Sequence, residues 1–274
     1  MKKNKILFIG AGNMGSAIIK GLNPKNNLVH EIYFYEPNEC VRNTISTKLN
    51  ANAISEINEE IANFDTVIFA VKPQVFRGFP TDKDMSKLAQ FITGSQLVLS
   101  IMAGVSISTI QDFLPNAKKI IRVMPNTPAL VGEAMSVLAK SDDVTTEELQ
   151  IAKEIFESIG QVEVLPETAL DAVTGLSGSG PAFVMMFIEA LTQGGILCGL
   201  TKNTAEKLAI QTVLGSAKMA SQTDTSVEQL RHAVTSPGGT TIAGVAALEE
   251  NSFRNSVIKA VRAACLRSEE LGKS

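Results

Sequence analysis

Residues 5–15 read KILFIGAGNMG, a short apolar run that ends in glycine and passes directly into a helical pattern at 13–22. The last six residues, Gly10-Ala11-Gly12-Asn13-Met14-Gly15, are spaced GxGxxG. At a strand-to-helix junction such glycines allow a tight turn, let the backbone approach a pyrophosphate, and let the helix pack close to the strand. The helix N-terminus then favours the anion. Alone the motif is common. Its context is what gives it weight: it opens the first βαβ pattern, and an acidic residue, Glu36, ends the next strand pattern (32–36) about 20 residues on.

Working outward, further strand patterns fall at 66–71, 97–101, 120–124, 135–139 and 162–165. Helical patterns separate them, which predicts βαβ units and a mainly parallel sheet. One helix is well marked. Thr145 and Glu148 form a capping box, apolar residues recur at Leu149, Ala152, Ile155, Phe156 and Ile159, and Gly160 closes it. After Pro166 strand patterns stop, and helices are expected at about 168–176, 180–199, 202–221, 226–234, 241–250 and 252–271. The expected fold is therefore α/β: a Rossmann-type dinucleotide-binding domain over 1–165, followed by an all-α domain over 166–274.

Bulk composition agrees. At 274 residues the chain holds about two domains, and 45% hydrophobic with 19% charged residues suits a buried core rather than disorder. The net charge of −3 argues against nucleic-acid binding by bulk charge, and the basic cluster Lys2, Lys3 and Lys5 is too short to alter that. Three cysteines (Cys40, Cys198, Cys265), far apart and without a CxxC pair, read as reduced thiols of a cytoplasmic protein. No export signal is visible. Residues 180–200 are apolar enough to suggest a membrane span, but Glu189, Gln193 and Gly194-Gly195 interrupt them. A helix apolar on nearly all sides is expected instead in a core or subunit interface.

Several segments carry chemistry. Glu36 is placed to accept hydrogen bonds from both ribose hydroxyls of NADH, and would repel the 2′-phosphate of NADPH. Alternatively Glu36 swings out, and Asn38 or Arg42, the one nearby arginine, meets that phosphate. Ala70-Val71-Lys72-Pro73 follows a strand, where open α/β sheets bind ligands; Lys72 is either beside the cofactor or a solvated lysine at a proline turn. Asn126, between Pro125 and Pro128, either offers its amide to a nicotinamide carboxamide or caps backbone. Ser236-Pro237-Gly238-Gly239-Thr240-Thr241 opens a helix, and free N–H groups at such a start suit a carboxylate or phosphate. The same residues would serve as a helix cap, although two glycines and two threonines exceed what a cap requires.

Other groups are missing. His30 reads as a loop residue, and His232, four residues before Ser236, belongs to no triad. The stretch 177–182, SGSGPA, fails the nucleophile-elbow pattern in every register and reads as a small-residue helix entry with Pro181 in the first turn. No spacing suggests a metal site.

Taken in order, GAGNMGSAI, AVKPQ, RVMPNTPALVGEA, LSGSGPAFV and VTSPGGTTIAGVAALEE closely resemble the pyrroline-5-carboxylate reductases over residues 5–271. The resemblance implies NAD(P)H-dependent reduction of the C=N bond of 1-pyrroline-5-carboxylate to L-proline. By that likeness Ile9 to Gly15, Glu36, Ala70 to Pro73 and Asn126 line the cofactor. Ile101, Met102 and Ala103 match the segment beside the nicotinamide. Ser236, Gly238, Gly239, Thr240 and Thr241 match the substrate site, with the Thr241 hydroxyl facing the imine nitrogen. It also implies a homodimer through C-terminal helices, in several members assembled into a decamer. Two departures stand out. Many members have a small or basic residue at the position of Glu36, which fits NADPH, and proline is common at the position of Val227.

Two other readings share some of these features. A β-hydroxyacid or related imine reductase shares the two-domain plan, but the former wants a lysine on the interdomain helix and 168–199 has none. A nonenzymatic dinucleotide sensor would have no reason to keep SPGGTT.

Overall fold

Residues 4–23, 30–77 and 83–273 are described in a computed structural model of the protein. Lys2 and Lys3 of the basic cluster lie outside them. The chain forms two compact units, one of Met1–Gly178 with Ala264–Ser274, the other of Ser179–Ala263. The break in composition at 165 therefore precedes the break in packing at 178, and the last residues of the chain return to the first unit.

The first unit is built on one eight-stranded sheet in the order β3-β2-β1-β4-β5-β6-β7-β8. Its strands are β1 (Asn4–Ile9), β2 (His30–Tyr35), β3 (Asn52–Ile54), β4 (Thr66–Phe69), β5 (Leu97–Ser100), β6 (Lys119–Met124), β7 (Ala134–Lys140) and β8 (Gly160–Val164). All neighbours are parallel except β6 and β7. A parallel return requires a crossover of about a dozen residues or more, and only a short 3₁₀ turn, Thr127–Val131, lies between those two strands. The edge strand β3, three residues long, has no apolar run to announce it. His30 starts β2 rather than lying in a loop.

Helices α1 (Asn13–Leu22), α2 (Glu39–Leu49), α3 (Pro73–Arg77), α4 (Lys83–Phe91), α5 (Ile107–Phe113) and α6 (Thr146–Glu157) accompany the sheet. In β1, Ile6, Leu7, Phe8 and Ile9 are all fully buried. Alternate residues of a strand point to opposite faces. Ile6 and Phe8 accordingly join Ile18 of α1 and Phe156 of α6, whereas Leu7 and Ile9 join Phe76, Leu88 and Ile110. Each such side chain contributes about 1.5–3 kcal/mol on burial, so a strand apolar on both faces locks into a doubly covered sheet.

The capping box of α6 is formed as expected, with Glu148 N donating to Thr145 Oγ1 at 3.2 Å and Thr145 N to Glu148 Oε2 at 3.0 Å. Gly160 does not close that helix, whose C-cap is Ser158. It starts β8, where a Cβ would collide with the backbone of Ala134. The helix expected at 168–176 is three pieces: a 3₁₀ turn (Glu167–Ala169), α7 (Leu170–Val173) and a π-turn (Thr174–Gly178).

The second unit holds α8 (Gly180–Leu197), α9 (Lys202–Ser221), α10 (Val227–Ala233), α11 (Thr240–Glu250) and the start of α12 (Phe253–Lys273). Pro181 sits in the first turn of α8, as expected. Within this unit only Thr192, Ala205 and Ala209 are buried among the described residues. Met186, Leu197 and Ile258 are 68%, 89% and 65% exposed. The run Glu167–Leu197 is long enough to cross a membrane, and its most apolar 18-residue stretch has a mean hydropathy of 1.3 with only 6% of that stretch buried within the chain.

Candidate active site

Strand order places the first part of the site. The chain leaves β1 for one side of the sheet (β2, β3) and later returns to the other (β4, β5, β6), so the order reverses between β1 and β4. Ligands of open α/β sheets bind in the crevice beyond the strand C-termini at such a point. Because β2, β1, β4, β5 and β6 are mutually parallel, their C-terminal ends form one edge. Every sequence-predicted cofactor segment follows one of these strands: Gly10 after β1, Glu36 after β2, Ala70 after β4, Ile101 after β5 and Asn126 after β6. Backbone bonds stitch the row, with Gly10 N donating to Tyr35 O at 3.1 Å, Ala70 N to Ile9 O at 2.9 Å and Ile101 N to Phe69 O at 3.1 Å.

The three glycines of the loop do separate jobs. Gly10 has φ +89°, and a Cβ there would lie 2.8 Å from Val71 Cγ1. At Gly15 a Cβ would meet Gly10 O at 2.9 Å and Ala70 Cβ at 3.2 Å, so α1 packs directly on the β1 and β4 ends. At Gly12 a Cβ would meet nothing within 4 Å. Gly12 is the N-cap of α1, with no side-chain cap and no acidic residue in the first turn. Open space against uncapped N–H groups is the environment a pyrophosphate requires, and the loop fits a dinucleotide. Ile9 and Ala11 are buried behind it, Met14 is half-buried and Asn13 is exposed.

Glu36 is half-buried, and its Oε1 accepts from Asn38 N at 3.1 Å. Arg42 is turned to backbone, its Nη1 donating to Glu36 O at 2.8 Å and Pro37 O at 3.3 Å. Among the described residues, then, Arg42 does not pair with the Glu36 carboxylate. Lys72 is exposed at the mouth of the crevice while its carbonyl accepts from Val75 N and Phe76 N, starting α3; Val71 and Pro73 are half-buried beside it. After β5, Met102 is buried in the core, Ile101 is half-buried and Ala103 is exposed.

Asn126 takes the backbone-binding alternative. Its Oδ1 accepts from Met135 N at 2.9 Å and its Nδ2 donates to Ser177 O at 3.0 Å. Ser177 lies in the π-turn, and a Cβ on the next residue, Gly178, would strike Met124 Cε at 2.7 Å. The π-turn is thereby pinned on the end of β6. Sequence reading missed this role of Ser177, because a carbonyl is offered by every residue; the run of small residues at 177–180 was the only signal.

The predicted substrate loop lies in the second unit. Gly238 has φ +68°, Gly239 N donates to Ser236 O at 3.1 Å, and a Cβ at Gly239 would meet Ser236 Oγ at 2.5 Å. The resulting turn delivers Thr240 and Thr241 as the first residues of α11, whose N-cap Gly239 supplies no side-chain cap and whose first turn has no acid. Ser236, Gly238, Thr240 and Thr241 are exposed within the chain. The helix start is therefore open to an anion, with two hydroxyls beside it. His232 is exposed and lies 3.8 Å from Glu228, an ordinary surface pair.

Comparison with known proteins meets this geometry from both ends of the chain. Residues 5–104 match a family profile described as NADP oxidoreductase, coenzyme F420-dependent. Residues 167–271 match pyrroline-5-carboxylate reductase dimerisation. A pyrroline-5-carboxylate reductase of a Synechocystis species is 46% identical over 97% of this chain and 97% of its own. Among solved structures, a pyrroline-5-carboxylate reductase from Coxiella burnetii is 35% identical over all of both chains, with a TM-score of 0.91. The Plasmodium falciparum pyrroline carboxylate reductase, solved with NADP bound, is 34% identical over 99% of both chains, with a TM-score of 0.84. A dinucleotide edge, an open SPGGTT helix start and near-full-length identity agree, and the chain belongs to the pyrroline-5-carboxylate reductase family.

Proposed function

We infer that the chain reduces the C=N bond of 1-pyrroline-5-carboxylate to give L-proline, an oxidoreductase acting on a CH–NH bond in proline biosynthesis. The observation that carries this reading is the Ser236–Thr241 loop, an uncapped helix start flanked by hydroxyls in a chain that also has a complete dinucleotide edge. A reduced nicotinamide dinucleotide, when bound, supplies the hydride. Residues 1–165 hold it: Gly10, Gly12 and the first turn of α1 take the pyrophosphate, Glu36 the ribose, and Ala70 to Pro73 with Ile101 to Ala103 border the nicotinamide half. Asn126 supports this edge by pinning the π-turn.

Residues 166–274 supply the substrate site and the dimer contacts. The N–H groups around Gly238, Gly239 and Thr240 hold the substrate carboxylate, with Ser236 beside them. The Thr241 hydroxyl hydrogen-bonds the imine nitrogen and orients the ring. A threonine hydroxyl is far too weak an acid to protonate that nitrogen outright, so the proton arrives on the substrate or through water. The chain's share of the rate is then positioning.

An unneutralised Glu36 favours the ribose diol of NADH, whereas the Plasmodium relative was solved with NADP. Either dinucleotide fits the loop, and Glu36 tilts the balance towards NADH. The exposed apolar faces of the second unit, with almost no core of its own among the described residues, support a homodimer through the C-terminal helices, and a decamer of five such dimers is the larger assembly. A partner copy rather than lipid then covers 180–197, in keeping with a cytoplasmic enzyme.

The test is absorbance-followed oxidation of NADH and NADPH with and without DL-1-pyrroline-5-carboxylate, alongside light-scattering mass against the 29.2 kDa chain. Substrate-dependent oxidation by an oligomer is expected. A folded oligomer that binds a dinucleotide but oxidises neither would overturn the assignment.

A further inference from the structure

From Ala264 onward α12 belongs to the first unit. Ser268 is only 4% exposed there and its Oγ donates to Asp171 Oδ1 at 2.6 Å. One turn further on, the backbone of Leu271 and Gly272 lies against the turn that follows β5. A Cβ at Gly104, which has φ +70°, would sit 3.6 Å from the Leu271 carbonyl and 3.7 Å from Gly272 N.

That turn has two fastenings and one close neighbour. Its start is tied to the sheet through Ile101 N and Phe69 O. Its end is tied by Ile107 N donating to Glu167 Oε1 at 2.8 Å, and Glu167 also pairs with Arg122 at 3.2 Å. Its middle, at Gly104, faces the α12 backbone, close enough that a Cβ there would just touch it. Glu167 and Asp171 stand four residues apart on one short helical stretch, so the stretch that grips the turn also grips α12. Beside the turn is a cavity of about 410 Å³ lined by Gly104, Ser106, Arg122, Asp171, Cys265 and Glu269. The turn is not packed solid on that side, and α12 forms the opposite wall through Cys265 and Glu269.

We propose that the end of α12 is a strap that positions the turn after β5, with Ser268 and Asp171 as its latch. This rests on the reading of Ile101, Met102 and Ala103 as part of the dinucleotide edge. Ser268 and Asp171 touch no reacting group; they are positioning residues. Releasing the latch frees Gly104, and the turn loses the fixed conformation in which it borders the dinucleotide.

The experiment uses the full-length protein and three variants: Ser268→Ala, Asp171→Ala and Asp171→Asn, the last keeping an oxygen acceptor for Ser268. Amide exchange at residues 102–107 reads the turn, and fluorescence titration with NADH and NADPH reads the edge. Losing one hydrogen bond to a carboxylate should speed exchange there by about tenfold. Dinucleotide Kd should rise several-fold in the two alanine variants and recover in Asp171→Asn, with oligomer mass unchanged throughout. Faster exchange confined to 264–272, with 102–107 unaffected, would overturn the strap. Faster exchange at 102–107 with unchanged Kd for both dinucleotides would instead overturn the placing of Ile101 to Ala103 on the dinucleotide edge. Should both alanine variants fail to fold, equal exchange in Asp171→Asn and a Ser268→Thr variant is still required.

Discussion

Gly12 and Gly15 separate folding from binding within one motif. Gly12 has φ −65° and ψ −168°, a conformation alanine adopts freely, and a Cβ there meets nothing within 4 Å. Alanine is a poorer N-cap than glycine but restricts the unfolded chain, and the two effects nearly cancel, to within about 0.5 kcal/mol. Gly12→Ala should therefore keep the wild-type urea midpoint. Its methyl group, however, fills the space from which a pyrophosphate would reach the uncapped N–H groups of α1. Losing a charge-assisted hydrogen bond costs about 1.5–3 kcal/mol, which corresponds to about a 10- to 100-fold rise in dinucleotide Kd. Gly15→Ala should do the opposite. Its Cβ lies 2.9 Å from Gly10 O and 3.2 Å from Ala70 Cβ. Helix propensity gains about 1 kcal/mol, overpacking costs about 1–3 kcal/mol, and the net is a loss of up to about 2 kcal/mol that lowers the urea midpoint. Urea unfolding and NADH titration of both variants decide the matter. A Gly12→Ala protein that folds and binds the dinucleotide as tightly as wild type would show that the α1 start is not the pyrophosphate site.

Three further outcomes are expected. Thr241→Ala should lower kcat/KM for the imine by about tenfold or more, and an unchanged value in the folded variant would remove Thr241 from the site. Glu36→Ser should shift the kcat/KM ratio towards NADPH, since it removes the negative charge that meets a 2′-phosphate; a wild type that already prefers NADPH strongly would contradict the electrostatic reading. Burial acts to raise the pKa of Glu148, but the Lys119 ammonium at 2.6 Å and the Thr145 cap outweigh it and hold the carboxyl below its ordinary range. A depressed carboxyl contributes stability above its unfolded pKa and loses it as pH falls through the folded value. Glu148→Gln should therefore flatten the acid limb of a stability-against-pH curve, and an identical limb would refute the pairing.

Local chemistry made much of this legible. The start of α1, its GxGxxG loop and the capping box at Thr145 and Glu148 depend on backbone sterics and hydrogen bonds within a few residues, so spacing alone announces them. The Ser236–Thr241 loop is legible for the same reason: Gly238 and Gly239 make a turn that ends in a helix start, whatever surrounds it. Shared periodicity likewise marks most strands, because a strand buried on both faces must be apolar throughout.

What stayed hidden depends on partners distant in the chain. Strand β3 is three residues at a sheet edge and needs β2 to exist. The antiparallel turn of β7 follows from a connector too short to cross over. Asn126 offers an amide to any neighbour, and only the fold brings Met135 and Ser177 to it, nine and fifty-one residues away. Ser268 and Asp171 are ninety-seven residues apart. By itself, then, the sequence determined most of the elements, the two glycine-rich helix starts and the family to which the chain belongs. The tertiary structure decided which side chains are spent on backbone and which remain open to a ligand, because long-range hydrogen bonds form only after the sheet order has chosen the neighbours.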